Sequence, residues 1–246
     1  MELGLDGRHA IVCASSRGLG RACAAALARE GCNVVINGRD QATLTATAEE
    51  LSQSGPGQVT AVAADINTAD GRAALLAACA APDILVNNNA GPPPGDFASW
   101  GTADWQGALD ANLLAPAFMI QGVIDGMKER RFGRIVNITS AMVKSPHAAM
   151  GLSTAARSGL TALCKGLSND AVAYNVTINN ILPERFDTDR LKFMAKMMME
   201  REGLTLELAR EAIANTINAK RFGQPEEVGD ACAFLCSAQG GFVSGP

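Results

Sequence analysis

His9-Ala10-Ile11-Val12-Cys13-Ala14-Ser15-Ser16-Arg17-Gly18-Leu19-Gly20 begins as an apolar run and ends on two glycines separated by one residue. The run His9–Cys13 is short and β-branched at its centre, as suits a strand buried on both faces. Glycines at 18 and 20 let the chain turn sharply and let backbone N–H groups approach a phosphate. Helical periodicity follows at once over Gly20–Glu30, so a helix N-terminus, with its dipole and free donors, points at the same place. Strand, glycine turn and helix in that order predict dinucleotide binding. A lone GxG after a strand is a weak signal, so the rest of the chain must carry the argument.

Outward from this stretch the pattern repeats. Short runs at Val34–Asn37, Val59–Ala63, Ile84–Asn88, Arg134–Ile138 and Thr177–Leu182 are rich in Val or Ile and poor in charge. Helical patterns lie between them at Gln41–Ser52, Asp70–Cys79, Thr102–Arg130 and Leu152–Ala173. The series predicts right-handed crossovers and a doubly wound α/β (Rossmann) parallel sheet with helices on both faces, one domain over residues 1–246. An eight-stranded barrel also fits this length, but it requires no glycine turn directly after the first strand. Ser54-Gly55-Pro56-Gly57 and Gly91-Pro92-Pro93-Pro94-Gly95 read as loops. Residues 184–220 read as a mobile flap, Met-rich at first (Met194, Met197, Met198, Met199) and helical from about Leu204 to Lys220. Those methionines either fill the flap's own core, the favoured reading, or close over an apolar substrate. A last helix starts at Pro225, with Glu226 and Glu227 where the dipole favours anions.

Composition narrows the function. Of 246 residues, 48% are hydrophobic, ample for a buried core. A net charge of −4 with no Lys/Arg cluster along a helix argues against nucleic acid as a partner. No apolar run approaches the roughly 18 residues of a membrane span, and MELGLDGRHAIV has no signal-peptide pattern. Seven cysteines without a CxxC pair or a His at ligand spacing predict no metal site, mostly buried reduced thiols and a cytoplasmic protein. One tyrosine, Tyr174, and two histidines, His9 and His147, leave few groups for acid–base work.

Ser140–Leu160, SAMVKSPHAAMGLSTAARSGL, resembles the active-site segment of the short-chain dehydrogenase/reductase family, in particular its 3-oxoacyl-(acyl-carrier-protein)-reductase-like members. The family has a Tyr thirteen residues after the Ser and a Lys four residues further on; here those positions are Ser153 and Arg157. Ser153–Leu160 otherwise resembles Y-S-A-A-K-A-G-L, which leaves no room for a shifted Tyr. The first turn is similar to the family's Thr-Gly-x-x-x-Gly-x-Gly, with Cys13 and Ala14 in the first two places. Ala14 is tolerable there if its φ stays below zero. Asp65-Ile66 resembles the pair that flanks the adenine, and Asn88-Asn89-Ala90-Gly91 the turn that borders the nicotinamide ribose. Asn112 resembles a helix-breaking Asn that holds a water. Asn180 and Pro183 resemble N-x-x-x-P-G, with Glu184 for the Gly, and Thr188 the contact on the carboxamide side. Arg221–Glu227 resembles the late R-F-G-x-P-x-E signature, so the resemblance spans residues 7–246.

The resemblance implies a cofactor site of Ser15, Arg17, Gly18, Leu19, Gly20, Arg39, Asp65, Ile66, Asn89, Ala90, Gly91, Pro183 and Thr188. An acid at the end of the second strand would repel a ribose 2′-phosphate. Asn37 is not that acid, and Arg17 and Arg39 suit a phosphate through their bidentate forks, so NADP(H) is favoured over NAD(H). A solvated Arg39 paired with Asp40 is the plain alternative.

Family chemistry moves a hydride between nicotinamide and a carbonyl or alcohol carbon, while a Tyr with pKa near 10, lowered by the Lys, passes the proton. The corresponding catalytic set is Ser140, Asn112, Ser153, Arg157 and His147. Ser153 keeps a hydroxyl but is far too weak an acid, and Arg157 keeps a charge without releasing a proton. A non-standard donor is therefore expected: His147, whose pKa lies near working pH, then Lys144, or water relayed through Ser153. His147 also reads as an ordinary loop residue. The alternative functions are an NADP(H)-binding sensor or partner subunit with little turnover, and a pocket turned to another substrate or nucleotide. The partner implied is a small carbonyl or alcohol. Apolar residues on several faces of Thr102–Arg130 and Leu152–Ala173, where family members pack a second subunit, imply a homodimer or homotetramer. The resemblance further implies a final strand after Phe242–Pro246.

Overall fold

The computed structural model describes residues 2–245. Six strands form the sheet: β1 (His9–Val12), β2 (Asn33–Gly38), β3 (Val59–Ala63), β4 (Ile84–Asn87), β5 (Gly133–Ile138) and β6 (Val176–Ile181). Around them run α1 (Gly18–Arg29), α2 (Gln41–Ser52), α3 (Ala69–Ala78), α4 (Thr102–Leu109) and α5 (Ala115–Glu129). Then follow α6 (Gly151–Ala171), α7 (Asp189–Glu202), α8 (Leu206–Asn215) and α9 (Pro225–Cys236). Every pairing is parallel and the order is β3-β2-β1-β4-β5-β6. The open sheet excludes the barrel. Strand order reverses at β1, so a crevice opens outside the carboxyl ends of β1 and β4, where such sheets bind ligands.

Side chains alternate across the sheet as a pleat demands. Ala10 and Val12 join the layer built with α1 and α9, whereas Ile11 and Cys13 join the layer built with α5 and α6. Leu27, Ile36 and Val86 anchor the first core, and Leu85, Met119 and Ile135 the second, all buried. Full burial of each such Leu or Ile contributes about 1.5–3 kcal/mol. All seven cysteines are buried and unpaired, as expected.

Three expectations are corrected. The helix drawn over Thr102–Arg130 is one rod interrupted by a π turn at Asp110–Leu114, which turns Asn112 inward. That rod, Thr102–Glu129, is also long and apolar enough to cross a membrane by length and composition, with mean hydropathy 1.3, contrary to the reading of its sequence. Its apolarity has a local cause, because Met119, Ile120, Val123 and Met127 face the sheet. The flap is more ordered in secondary structure than anticipated: α7 spans most of the Met-rich segment, and the next helix is shorter, Leu206–Asn215. Met194, Met198 and Met199 pack on Leu191, Ala195, Ala209 and Ile213, so three of the four methionines serve the flap's own core. At the free edge of β6, Asn179 Nδ2 donates to Val243 O at 2.8 Å and Gly245 N to Ile178 O at 2.9 Å. Pro246, after which the resemblance implies a final strand, lies outside the described residues.

Candidate active site

The first turn is a cradle for an anion. Gly18 has φ +60°, and a Cβ on Gly20 would lie 2.5 Å from Ala14 O and 2.7 Å from Asn88 Nδ2. Arg17, at the N-cap of α1, makes no capping bond, and no acid lies in the first turn, so the helix donors face the crevice uncovered. These features fit a dinucleotide pyrophosphate. Ala14 stands at φ +45°, so the expectation of a negative φ is overturned. Its N–H donates to Asn37 Oδ1 at 3.3 Å and its carbonyl accepts from Asn88 Nδ2 at 3.0 Å, and these bonds hold the strained residue in place.

Ser15 lies behind the turn rather than in the crevice. It is fully buried; its hydroxyl donates to Val12 O and accepts from Asn37 N. Asn37 is committed as well, donating to Val62 O and Ala64 O. What remains open at the end of β2 is Arg39. Arg39 and Arg17 are exposed and make no ion pair among the described residues. Asp40 caps α2 by accepting from Thr43 N at 2.8 Å, so it does not occupy Arg39. Gly18 also lies beside the flap: a Cβ there would sit 3.9 Å from Thr188 Cγ2. Leu19 is half-buried over the first core.

The fourth-strand turn is fixed by its side chains. Asn89 donates to Asn67 Oδ1 and to Ala111 O, and accepts from Ala90 N. Asp65 accepts from Asn67 N at 3.0 Å, and Ile66 is buried beside it. Pro183 O accepts from Ala141 N at 2.9 Å, which ties the end of β6 to the active-site loop.

Ser153, Arg157 and Asn112 converge on one point. A Cβ built on Gly91 would meet Ser153 Oγ at 3.3 Å, Arg157 Nη2 at 3.5 Å and Asn112 Oδ1 at 3.6 Å. Arg157 does not reach outward as a ribose ligand. Its Nη1 donates to Ile138 O (2.8 Å) and Thr139 O (3.1 Å), its Nη2 to Asn89 O (3.1 Å), and its Nε to Ser153 Oγ (3.1 Å). Burial, and then the nearby charge of Arg190, push its pKa down to about 10, so it stays charged at neutrality. Because Ser153 accepts from Arg157, its own O–H is left to donate. Asn112 Nδ2 donates to Ala90 O at 3.0 Å, while its Oδ1 is buried without a partner. Beside it lies a cavity of about 10 Å³, the lower limit for one water, lined in part by Asn88, Asn89, Asn112 and Arg157.

Ser140 sits at the end of β5 and accepts from Met142 N at 3.2 Å. His147 is exposed and its Nδ1 accepts from Ala149 N at 3.3 Å, which caps a short 3-10 turn. No bond joins His147 to Ser140 or Ser153 among the described residues. Two features escaped the sequence reading. One is a buried carboxamide ladder, Asn87 Nδ2 to Asn137 Oδ1 (3.0 Å) and Asn137 Nδ2 to Asn180 Oδ1 (3.1 Å), across the carboxyl ends of β4, β5 and β6. Its signal was an Asn ending or nearly ending each of three successive apolar runs. The other is Arg185 and Arg190, two cations close after Pro183 that make no ion pair among the described residues.

A family model described as enoyl-(acyl carrier protein) reductase matches residues 13–246. The chain is 29% identical over 243 residues to the NADPH-dependent reductase BacG of Bacillus subtilis, covering 97% of this chain and 94% of that one. It is 30% identical over 251 residues to dehydrogenase/reductase SDR family member 4 of Homo sapiens, covering 98% and 85%. Among solved structures, L-sorbose reductase from Gluconobacter frateurii, complexed with NADPH and L-sorbose, superposes with a TM-score of 0.94 at 26% identity, covering 100% of this chain and 95% of that one. The glycine turn, the ordered motifs and these likenesses agree: the chain belongs to the short-chain dehydrogenase/reductase family of NAD(P)-dependent oxidoreductases.

Proposed function

We propose that the protein interconverts a small carbonyl compound and its alcohol with NADP(H), passing the proton without a phenol. The observation that carries this reading is the convergence of Ser153, Arg157 and Asn112 beside Gly91, on the same crevice as the uncovered α1 N-terminus. The nicotinamide, when bound, supplies or accepts the hydride. Gly18, Leu19 and Gly20 hold the pyrophosphate, and Arg17 and Arg39 the 2′-phosphate. Asp65 and Ile66 border the adenine; Asn89, Ala90, Gly91, Pro183 and Thr188 border the nicotinamide end. Ser140 holds the substrate oxygen. Ser153 donates its free O–H to that oxygen and recovers a proton from water held near Asn112. His147, exposed on the loop between Ser140 and Ser153, is the candidate to exchange protons between that water and bulk. Arg157 holds the strand ends in register and stabilises negative charge that develops on the oxygen.

A second reading, an NADP(H)-binding protein with little turnover, is favoured by Arg157 itself, whose guanidinium is tied to three backbone carbonyls. Calorimetry with NADPH and NADH, followed by carbonyl substrates at saturating NADPH, separates the two. Turnover that falls in His147→Ala supports the first; tight NADPH binding with no turnover across the panel supports the second. Weak binding of both dinucleotides sinks both, and Arg39→Gln is expected to narrow the gap between NADPH and NADH.

We further infer a cytoplasmic homo-oligomer. The supports are seven unpaired thiols and exposed Leu114, Phe118 and Leu163 on the faces of α5 and α6 or the turn before them. Light scattering that gives a monomer mass would remove the second part.

A further inference from the structure

We propose that the cleft beside Gly91–Pro94 takes an oxo or hydroxy acid whose carboxylate is held by Arg190, with Arg185 behind it. This deepens the oxidoreductase reading and rests on it. Arg190, in the first turn of α7, meets the cleft at its edge: its Nη2 donates to Pro92 O at 3.0 Å. Pro92 lines a cleft of about 380 Å³ whose remaining wall includes Pro93, Pro94, Trp100 and Leu152. The apolar wall suits a carbon skeleton, and the other donors of Arg190 have no partner among the described residues.

Arg185 Nε is buried and makes no hydrogen bond, a condition that buried donors rarely tolerate. The three cations feel one another. Arg190 is pushed down by partial burial and then by Arg185, and Arg157 by burial and then by Arg190. Neither shift is offset by an acid, and Glu184, beside Arg185, is exposed and makes no ion pair among the described residues. Asp187 pairs with Arg210 at 2.9 Å and Asp189 with Lys192 at 3.3 Å. The carboxylate in the cleft lining, Asp104, accepts from Gly101 N at 2.9 Å. In a chain of net charge −4 this is a local excess of positive charge over the reacting end of the crevice. A planar carboxylate matches a guanidinium fork and satisfies it with two bonds. Because Thr188, two residues before Arg190, lies beside Gly18, the dinucleotide phosphates are the competing partner, and saturation with NADPH before the acid is added separates the two.

The test uses the full chain saturated with NADPH. Phenylglyoxylate and 4-oxopentanoate are titrated by calorimetry, each against its neutral methyl ester. At least one acid is expected to bind about tenfold more tightly than its ester, a difference of about 1.4 kcal/mol. Arg190→Gln brings that ratio to about one, and Arg185→Gln lowers it by a smaller factor. Lys196→Gln, which removes an exposed charge from the same helix without freeing an acid, leaves it unchanged. Equal binding of acid and ester in both pairs, no binding of either acid, or an undiminished ratio in Arg190→Gln overturns the proposal. NADPH saturation is measured first. Failure there sinks the oxidoreductase reading, whereas firm NADPH binding without acid preference sinks only this one.

Discussion

The turn over residues 13–20 and the segment over residues 140–157 have both departed from their family's pattern, with opposite consequences. In the first, Cys13 and Ala14 replace Thr and Gly, yet the cradle survives. Its donors are backbone N–H groups, which do not depend on the side chains beside them. In the second, Ser153 and Arg157 replace Tyr and Lys. On the proposed reading, proton transfer here resides in side-chain atoms, so the chemistry would change with them. A binding site built from main chain tolerates substitution; a proton path does not.

The sharpest way to break this contrast is to restore the missing pair. Ser153→Tyr with Arg157→Lys is expected to raise kcat by about 10² to 10⁴, the range of a general acid. Stopped-flow measurement of NADPH oxidation checks it, and an unchanged rate would mean that more than two side chains separate this site from its relatives. Next in size is the loss of the arginine clamp. Arg157→Met leaves the carbonyls of Ile138, Thr139 and Asn89 without these donors, and about 3 kcal/mol of stability should go in urea denaturation. A loss below about 1 kcal/mol would show that water replaces the guanidinium.

The amino-terminal turn offers the converse test. Ala14→Gly relieves left-handed strain worth about 1–2 kcal/mol but adds freedom to the unfolded chain worth about 0.5–1. The expected net gain lies between zero and about 1.5 kcal/mol, with NADPH affinity retained; a loss of stability would mean that the Ala14 methyl packs usefully. The smallest effect concerns Glu227, which anchors the start of α9 far from the proton path. Its carboxylate pairs with Arg221, bonds Gln224 N, and is held at about 2 instead of 4.5. The folded pKa is the lower one, so this contribution is complete above pH 4.5 and vanishes as pH falls through about 2. Glu227→Gln should lower stability slightly at neutral pH and converge with the parent protein as pH falls through about 2, which flattens the acid limb of a circular-dichroism titration.

Much of this was legible in the chain. Strand β3 matches its expected bounds, because Val59–Ala63 is a clean β-branched run between turn residues. The flap was less legible. Residues 189–202 mix methionine with charge, and their helical face shows itself only against Ala209 and Ile213. In the candidate site, positions followed from spacing but directions did not. Arg157 could be placed four residues after Ser153 by counting, yet no count says that its guanidinium turns to Asn89 O instead of outward.

The order of hydrophobic runs and glycines was enough by itself to establish a doubly wound sheet with a phosphate cradle at its crevice, since local periodicity and backbone sterics are written residue by residue. Tertiary structure alone decided which charged groups remain without partners. Asp187 pairs with Arg210, 23 residues on, instead of with Arg185 or Arg190 close by in the chain, and such pairing is a property of distance in space.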